Sequence, residues 1–165
     1  MKPIEVKALG DYYCTPNLRK WCHAVKKDKG CGRYGKKYTP LLTNIINPET
    51  TIVPVPSNNG RMERIAIKIA QRIGCSVSFC LGKSSNISRY QSKKIGLDIE
   101  PPIKLVGKVP DGDITLLDNV IATGKTMRKC MSLVGKPCYM AAIAIDCETL
   151  GKEGNGLYDK QLGSF

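Results

Sequence analysis

The chain has 165 residues, of which 42% are hydrophobic and 24% are charged. Such a chain forms one globular domain that buries roughly 70% of its unfolded surface, and its composition argues against disorder. No apolar run approaches the roughly 20 residues of a membrane helix. The N-terminal residues, MKPIE, lack the apolar core of a signal peptide, so we expect a cytoplasmic protein.

The net charge of +12 is distributed unevenly along the chain. Residues 1–40 contain ten Lys and Arg against three acids, and residues 41–99 contain eight against three. Residues 100–165 contain eight of each sign, so the whole surplus lies in the first 99 residues. This asymmetry indicates an anionic partner, either nucleic acid or a phosphorylated small molecule. Ordinary solvated lysines are the alternative explanation.

Residues 1–40 form the first predicted unit, a basic segment that would act as a hood or as a partner-binding surface. Four tyrosines alternate with its cations, as on surfaces that bind single-stranded nucleic acid. They are Tyr12, Tyr13, Tyr34 and Tyr38. Packing against a core explains these tyrosines equally well.

The eight cysteines include no Cys-x-x-Cys pair, which is the usual spacing of zinc ribbons and redox sites. Without a signal peptide we expect free thiols, and those in apolar runs act as small hydrophobic residues. A zinc site near the N-terminus is a weaker alternative, because the spacing of its ligands is irregular. Those ligands would be Cys14, Cys22, His23 and Cys31.

The predicted core, residues 41–150, alternates strands with helices. A short strand at 51–56 ends in prolines and in the turn sequence SNNG. The clearest helix follows, because apolar residues repeat at helical spacing from Met62 to Ile73 and Gly74 stands at the cap position. We predict a strand at 75–81 and a long loop with a short helix over 82–102.

The second half of the core repeats this arrangement. It predicts a strand at 114–117, a helix from near Gly124 to Gly135 and a strand at 139–145, followed by an irregular tail from Gly151. Apolar strands separated by helices indicate an α/β fold, an open and mostly parallel sheet with helices on both faces. The small basic N-terminal region precedes it.

Parallel sheets of this kind bind ligands beyond the carboxyl ends of their strands. Two loops of this chain are predicted to lie there. Residues 54–61 and 118–126 both lead from a strand into a helix, so both present backbone N–H groups that suit an anion. The second loop contains the sequence GKT, but Asn119 stands where a nucleotide-binding P-loop requires glycine.

Residues 114–126, ITLLDNVIATGKT, are a better match to another pattern. They resemble the phosphoribosyl-diphosphate (PRPP) motif of type I phosphoribosyltransferases, and most closely that of the competence-type ComF-like group. The apolar strand at 52–56, the following Arg61, and Arg89 with Gln91 support this resemblance, which spans roughly residues 40–146.

The resemblance implies a phosphoribosyltransferase that uses PRPP with Mg²⁺, held mainly through the substrate, and transfers phosphoribose to an unidentified acceptor with release of pyrophosphate. It implies that Asp118 and Asn119 are the catalytic residues at the ribose. The 5′-phosphate loop would be Ala122, Thr123, Gly124, Lys125 and Thr126. The pyrophosphate loop would comprise Val55, Pro56, Ser57, Asn58 and Asn59, with Arg61 and Arg64 balancing charge. Relatives often contact the acceptor after the last core strand, here near Asp146 and Glu148.

Three departures from the family pattern leave an alternative open. Asn119 replaces an acid, the sequence RMERI at 61–65 replaces the ComF-type string after the Pro-Val-Pro loop, and no zinc ribbon is recognisable. The chain would then be a non-catalytic ComF-like module that senses PRPP or handles nucleic acid through residues 1–40. The oligomeric state stays open, with a homodimer as one candidate.

Overall fold

The fold comes from a computed structural model, which describes residues 4–27, 33–85, 94–96, 101–154 and 158–163. The N-terminal half contains β1 (Ile4–Asp11), α1 (Leu18–Lys27), α2 (Arg33–Leu42), β2 (Thr51–Pro54), α3 (Arg61–Ile73) and β3 (Leu81–Lys83). The C-terminal half contains β4 (Ile103–Leu105), β5 (Ile114–Ile121), α4 (Lys125–Val134), β6 (Tyr139–Ile145), α5 (Cys147–Gly154) and β7 (Tyr158–Leu162).

Five strands form one parallel sheet in the order β2-β5-β6-β1-β7. Val53 of β2 lies opposite Leu116 of β5, and Asp118 of β5 lies opposite Ala142 of β6. β3 and β4 form a separate antiparallel pair. The predicted α/β class with a mostly parallel sheet is therefore confirmed, and the carboxyl ends of β1, β2 and β5 lie at one edge.

Helices cover both faces of this sheet. Because successive strand residues point to opposite faces, Leu116 packs in the cluster that contains Met127 of α4, whereas Leu117 packs in the cluster that contains Ile65 of α3. α1 joins the second cluster through buried Leu18 and two further side chains, Cys22 and Val25. Apart from the buried Thr115, β5 is thus apolar on both faces until it reaches Asp118.

The predicted helices at 61–73 and near 124–135 are confirmed. Their ends follow from glycine, because Gly74 and Gly135 both adopt a positive φ, of 75° and 73°. The Gly74 N–H donates to the carbonyl of Ala70, and the Gly135 N–H donates to the carbonyl of Met131. These bonds satisfy carbonyl groups that would otherwise lack partners at the helix ends.

The N-terminal segment is built into the sheet, which the sequence did not indicate. β1 lies between β6 and β7, and its Val6 and Ala8 are fully buried. Glu5 and Lys7 interrupt the apolar pattern of this strand, and they form an ion pair at 2.9 Å. Over residues 4–27 the basic segment therefore shares the core of the domain.

The prediction of an irregular tail is wrong where the structure describes it. α5 extends to Gly154, and β7 pairs with β1 as a parallel edge strand, with Ile4 opposite Tyr158. The glycines of this segment predicted irregular structure, but backbone hydrogen bonds to β1 stabilise a strand there. No helix within the described ranges is long and apolar enough to cross a bilayer.

Two further boundaries differ from the prediction. The strand predicted at 75–81 contributes only one bridge, between Val77 and Ile52, before β3 begins at Leu81. β5 continues four residues beyond Leu117 to Ile121, so Asp118 lies within the strand and not at its end. Most of the predicted loop over 82–102 lies outside the described residues.

Candidate functional site

A cavity of about 740 Å³ opens at the carboxyl ends of β2 and β5, a size typical of small-molecule sites. One wall is formed by residues 55–59, Arg61, Met62 and Lys83. A second wall comes from the end of β1 and from α1, and contains Tyr12, Arg19, His23, Val25 and Lys26. Asp118 and Asn119 of β5 complete the lining.

Ser57 fixes the loop between β2 and α3. Gly60 at the N-cap of α3 has no side chain to offer, and the Ser57 hydroxyl accepts instead from the backbone N–H groups of Arg61, at 2.9 Å, and Met62, at 3.4 Å. Glu63 of α3 bonds to Ser57 in turn. Its carboxylate accepts from the Ser57 backbone N–H at 3.1 Å and from the Ser57 hydroxyl at 2.6 Å. This reciprocal arrangement works like a capping box and holds the loop beside the cavity.

The two predicted arginines of this loop have different positions. Arg61 is only 6% exposed and lines the cavity, and the Asn59 amide, with its oxygen turned to the guanidinium, accepts from it at 3.0 Å. Arg64 does not line the cavity. Its Nη2 donates to the Asn59 carbonyl at 3.0 Å, so Arg64 supports the loop from behind.

A further cation enters the cavity from β3. Lys83 donates from its ammonium to Oδ1 of Asn58, and burial lowers the pKa of this lysine. The positive charges of Lys83 and Lys26 both act on Asp118, one from each wall of the cavity. The predicted pyrophosphate loop and the predicted catalytic carboxylate therefore lie in one electrostatic environment.

Burial raises the pKa of Asp118 from 3.8 to about 6, against the opposing effects of the Asn119 backbone N–H and of the two lysines. That N–H donates to Oδ1 of Asp118 at 2.7 Å. A carboxylate with a pKa near 6 is ionised at neutral pH but is poorly solvated. It therefore favours any donor that enters the cavity, such as a sugar hydroxyl.

Asn119 is buried, with only 8% of its surface exposed. Its Nδ2 donates to the carbonyl of Cys22 at 3.3 Å, whereas its buried Oδ1 has no hydrogen-bond donor among the described residues. An unsatisfied buried acceptor costs free energy, and this oxygen has too little exposed surface for a ligand to reach it directly.

Metal ligands of the protein itself are sparse at this site. No group of three or more His, Cys, Asp or Glu gathers within the described ranges. The carboxylate of Asp118 nevertheless suits Mg²⁺, which binds proteins through one or two such ligands together with substrate oxygens and water. For zinc, Cys22 is a poor ligand, because it is buried in the core and burial raises its pKa to about 12. Cys31 lies outside the described residues.

The predicted 5′-phosphate loop lies between β5 and α4, at the same edge of the sheet. Gly124 adopts a φ of 71° at the start of α4, and the Lys125 N–H donates to the Thr123 hydroxyl at 3.3 Å. Residues 122–126 do not line the 740 Å³ cavity. The structure thus brings residues 55–59, Arg61, Asp118 and Asn119 together, and places the second loop farther along β5.

Sequence reasoning missed the parts of the cavity lining that come from the end of β1, from α1 and from β3. These residues are Tyr12, Arg19, His23, Lys26 and Lys83. The spacing of Leu18, Cys22 and Val25 is the signal that could have revealed an amphipathic α1 with its cations on the other side. Asp146 lies away from the cavity, where its Oδ1 accepts from the Thr149 N–H at 3.0 Å. Arg89 and Gln91 lie outside the described residues.

The fold is similar to that of solved phosphoribosyltransferases, although no protein-family model and no curated protein matches the sequence. Adenine phosphoribosyl transferase from Trypanosoma brucei, solved with AMP, pyrophosphate and ribose-5-phosphate, superposes with a TM-score of 0.51 at 13% identity, over 92% of this chain and 80% of that one. The APRTase of Giardia lamblia gives 0.48 at 17% identity, over 90% and 83%. Phosphoribosylpyrophosphate synthetase from Mycobacterium smegmatis gives 0.46 at 18%, and this chain spans 39% of its length. The chain has the fold of type I phosphoribosyltransferases.

Proposed function

We propose that this protein binds the ribose and pyrophosphate of PRPP in the 740 Å³ cavity, with the 5′-phosphate at the 122–126 loop on the same edge of the sheet, and transfers the phosphoribosyl group to an acceptor with release of pyrophosphate. One observation carries the proposal. Asp118 and Asn119 of the PRPP-like motif line the same cavity as the 57–59 loop, which lies far earlier in the chain. The position of that cavity, beyond the carboxyl ends of parallel strands, is the one where α/β folds bind ligands.

The roles of the residues follow from their chemistry. Asp118 accepts a hydrogen bond from a ribose hydroxyl, and Asn119 lines the cavity beside it. Asn58 and Asn59 contact the pyrophosphate, whose charge is balanced by Arg61 and Lys83. Backbone N–H groups and hydroxyls of residues 122–126 bind the 5′-phosphate.

Transfer needs the anomeric carbon to lose pyrophosphate through an oxocarbenium-like state. The cations at the 57–61 loop stabilise the charge that develops on the leaving group, and the Asp118 carboxylate holds the ribose in place. Mg²⁺, bound mainly by substrate oxygens and by Asp118, would add a further positive charge against the leaving group. Asn119 contributes no negative charge, unlike the acid that the family usually has there.

A non-catalytic ComF-like binding module is the second candidate, and two observations favour it. Asn119 replaces the acid, and α1 carries four cations and no acid in the sequence LRKWCHAVKK. Such a module would retain PRPP as a sensed ligand, or would contact nucleic acid through the exposed basic side of α1.

Titration calorimetry with PRPP, with and without Mg²⁺, tests the ligand assignment. We expect binding by the natural protein and a loss of at least about tenfold in Asp118→Ala, since hydrogen bonds to a charged group contribute about 1.5–3 kcal/mol. Asp111→Ala is the matched control, because Asp111 is exposed and distant from the cavity lining. Equal PRPP affinity in both variants would refute the assignment.

A pyrophosphate-release assay over a panel of acceptors then separates the two candidates. Release that depends on both PRPP and an acceptor supports the transferase. PRPP binding without release for every acceptor supports the sensing module. If the protein does not bind PRPP but binds nucleic acid with an affinity that falls steeply with salt, both PRPP-based proposals are refuted.

A further inference from the structure

The cavity has two chemically different walls, and only one of them is used by the proposed pyrophosphate and ribose contacts. The β1–α1 wall contains an aromatic ring, Tyr12, with Arg19, His23 and Lys26 beside it. Asp118 is the only acid that lines the cavity among the described residues, and it belongs to β5. The β1–α1 wall is therefore aromatic and cationic.

Arg19 is held at this wall by aromatic rings. Its guanidinium carbon lies 5.8 Å from the centroid of the Tyr12 ring and 5.3 Å from that of Tyr13, which are cation–π distances. The two rings pack edge to face at 5.0 Å, and the Tyr12 hydroxyl bonds Nε2 of His23 at 3.0 Å. Arg19 forms no ion pair with any residue that the structure describes. Its planar fork of donors is thus positioned by neighbours that do not neutralise it.

Displacement at the anomeric carbon places the acceptor on the side opposite the leaving pyrophosphate. If the pyrophosphate occupies the 57–61 loop, as the proposed function has it, the acceptor lies against the β1–α1 wall. Arg19 is exposed at the rim of this wall, so a neutral ring would leave its guanidinium to water, whereas an anionic group would pair with it. A ring with a carboxylate would stack on Tyr12 and pair with the guanidinium in a bidentate manner.

We propose that the acceptor is a planar aromatic acid, a ring that carries a carboxylate and a nucleophilic nitrogen, bound beside Tyr12 with its carboxylate paired to Arg19. This inference rests on the proposed function. In the transfer, the nitrogen lone pair forms the bond to the anomeric carbon while the carbon–oxygen bond to pyrophosphate breaks. Pyrophosphate leaves with that electron pair. An acceptor N–H loses its proton to water, whereas a pyridine nitrogen carries no proton and becomes a pyridinium cation.

Matched pairs of acceptors test the charge requirement. Orotate against uracil, and nicotinate against nicotinamide, each keep one ring and change the anionic group. With PRPP and Mg²⁺ present, pyrophosphate release is expected from at least one acid of such a panel, extended to anthranilate and quinolinate, and not from the neutral partner. Equilibrium binding of the same compounds by calorimetry gives a readout that does not depend on turnover.

Arg19→Gln and Lys20→Gln form the variant pair. Lys20 is an adjacent exposed cation that does not line the cavity. Arg19→Gln is expected to weaken binding of the acid, and to raise its KM, by about tenfold with an unchanged Kd for PRPP, whereas Lys20→Gln changes neither.

The outcomes separate the inference from the proposed function. PRPP binding with turnover of neutral bases alone would overturn the inference and leave the proposed function standing. Equal acid affinity in Arg19→Gln and Lys20→Gln would also overturn it. Absence of PRPP binding would refute the proposed function, and the inference with it.

Discussion

Replacing Asp118 with asparagine is expected to stabilise the folded protein at neutral pH while it weakens the proposed ribose contact, because the acceptor loses its negative charge. Asp118 is ionised at neutral pH, although burial has raised its pKa from 3.8 to about 6. Ionisation in the folded state therefore costs free energy that the unfolded chain does not spend. The substituted asparagine would keep the shape of the side chain and could still accept from the Asn119 N–H, which lies 2.7 Å from Oδ1 of Asp118.

The magnitude follows from the shift in pKa. A difference of about two pH units corresponds to about 3 kcal/mol, at about 1.4 kcal/mol for each unit. Asp118 is partly exposed, so solvent reduces this, and we expect Asp118→Asn to gain about 1–3 kcal/mol at about pH 7.5. The pKa of Asp118 is higher in the folded protein than in the unfolded chain. The free-energy cost of ionising it is therefore absent below pH 3.8 and grows as the pH rises through about 6. The gain of Asp118→Asn over the natural protein should follow the same course.

Urea unfolding at a series of pH values from about 4 to about 7.5 measures this difference. Other titrating groups are common to both proteins and cancel when the two free energies of unfolding are subtracted. Asp111→Asn is the control, since the Asp111 side chain is 93% exposed and should give the same stability as the natural protein at each pH. A free energy of unfolding for Asp118→Asn that is unchanged or lower at the highest pH would refute an ionisation penalty at Asp118. A gain that does not vary across the series would refute it as well.

Three further substitutions test other parts of the structure, all by urea unfolding. Asp11→Asn should cost about 1–2 kcal/mol at neutral pH, because bonds from the N–H groups of Tyr13, Cys14 and Cys147 outweigh burial and lower the Asp11 pKa to about 2. That cost is complete above pH 3.8 and should fade as the pH falls through about 2; a constant cost would contradict the assignment. Ser57→Ala should cost about 1 kcal/mol at neutral pH through loss of the α3 cap, and an unchanged stability would contradict the capping role. Asn119→Asp should cost about 2–4 kcal/mol at about pH 8 and less at about pH 5, because a carboxylate would face the Cys22 carbonyl; equal costs at both pH values would contradict that.

The elements that could be predicted from the sequence are those whose pattern is local. The repeat from Met62 to Ile73 and the glycine that ends it specify α3 within a few neighbouring residues, and the apolar run at 139–145 specifies β6. β1 and β7 could not be predicted, because their stability comes from pairing with strands far away in the sequence. Ile4 pairs with Tyr158, and neither segment has an uninterrupted apolar run.

The candidate site likewise has parts that a local sequence pattern predicts and parts that depend on distant contacts. The motif at 114–126 and the loop at 55–59 were visible because each combines a strand end with turn residues. The α1 wall depends on contacts such as that between Asn119 and the Cys22 carbonyl, 97 residues apart. No spacing rule reports such a contact, and the uneven charge indicated only that the N-terminal residues suit an anionic partner.

The basic surplus and the replacement of an acid by Asn119 act on the same cavity. Two adjacent acids at this buried position would repel each other and raise the pKa of Asp118 further above about 6. With Asn119, Asp118 stays ionised at neutral pH beside Lys26 and Lys83, and the described lining holds four Lys and Arg against one carboxylate. The protein itself therefore supplies much of the positive charge that a pyrophosphate requires. PRPP binding should consequently depend less on Mg²⁺ in the natural protein than in the Asn119→Asp variant, where a second carboxylate would have to be balanced first.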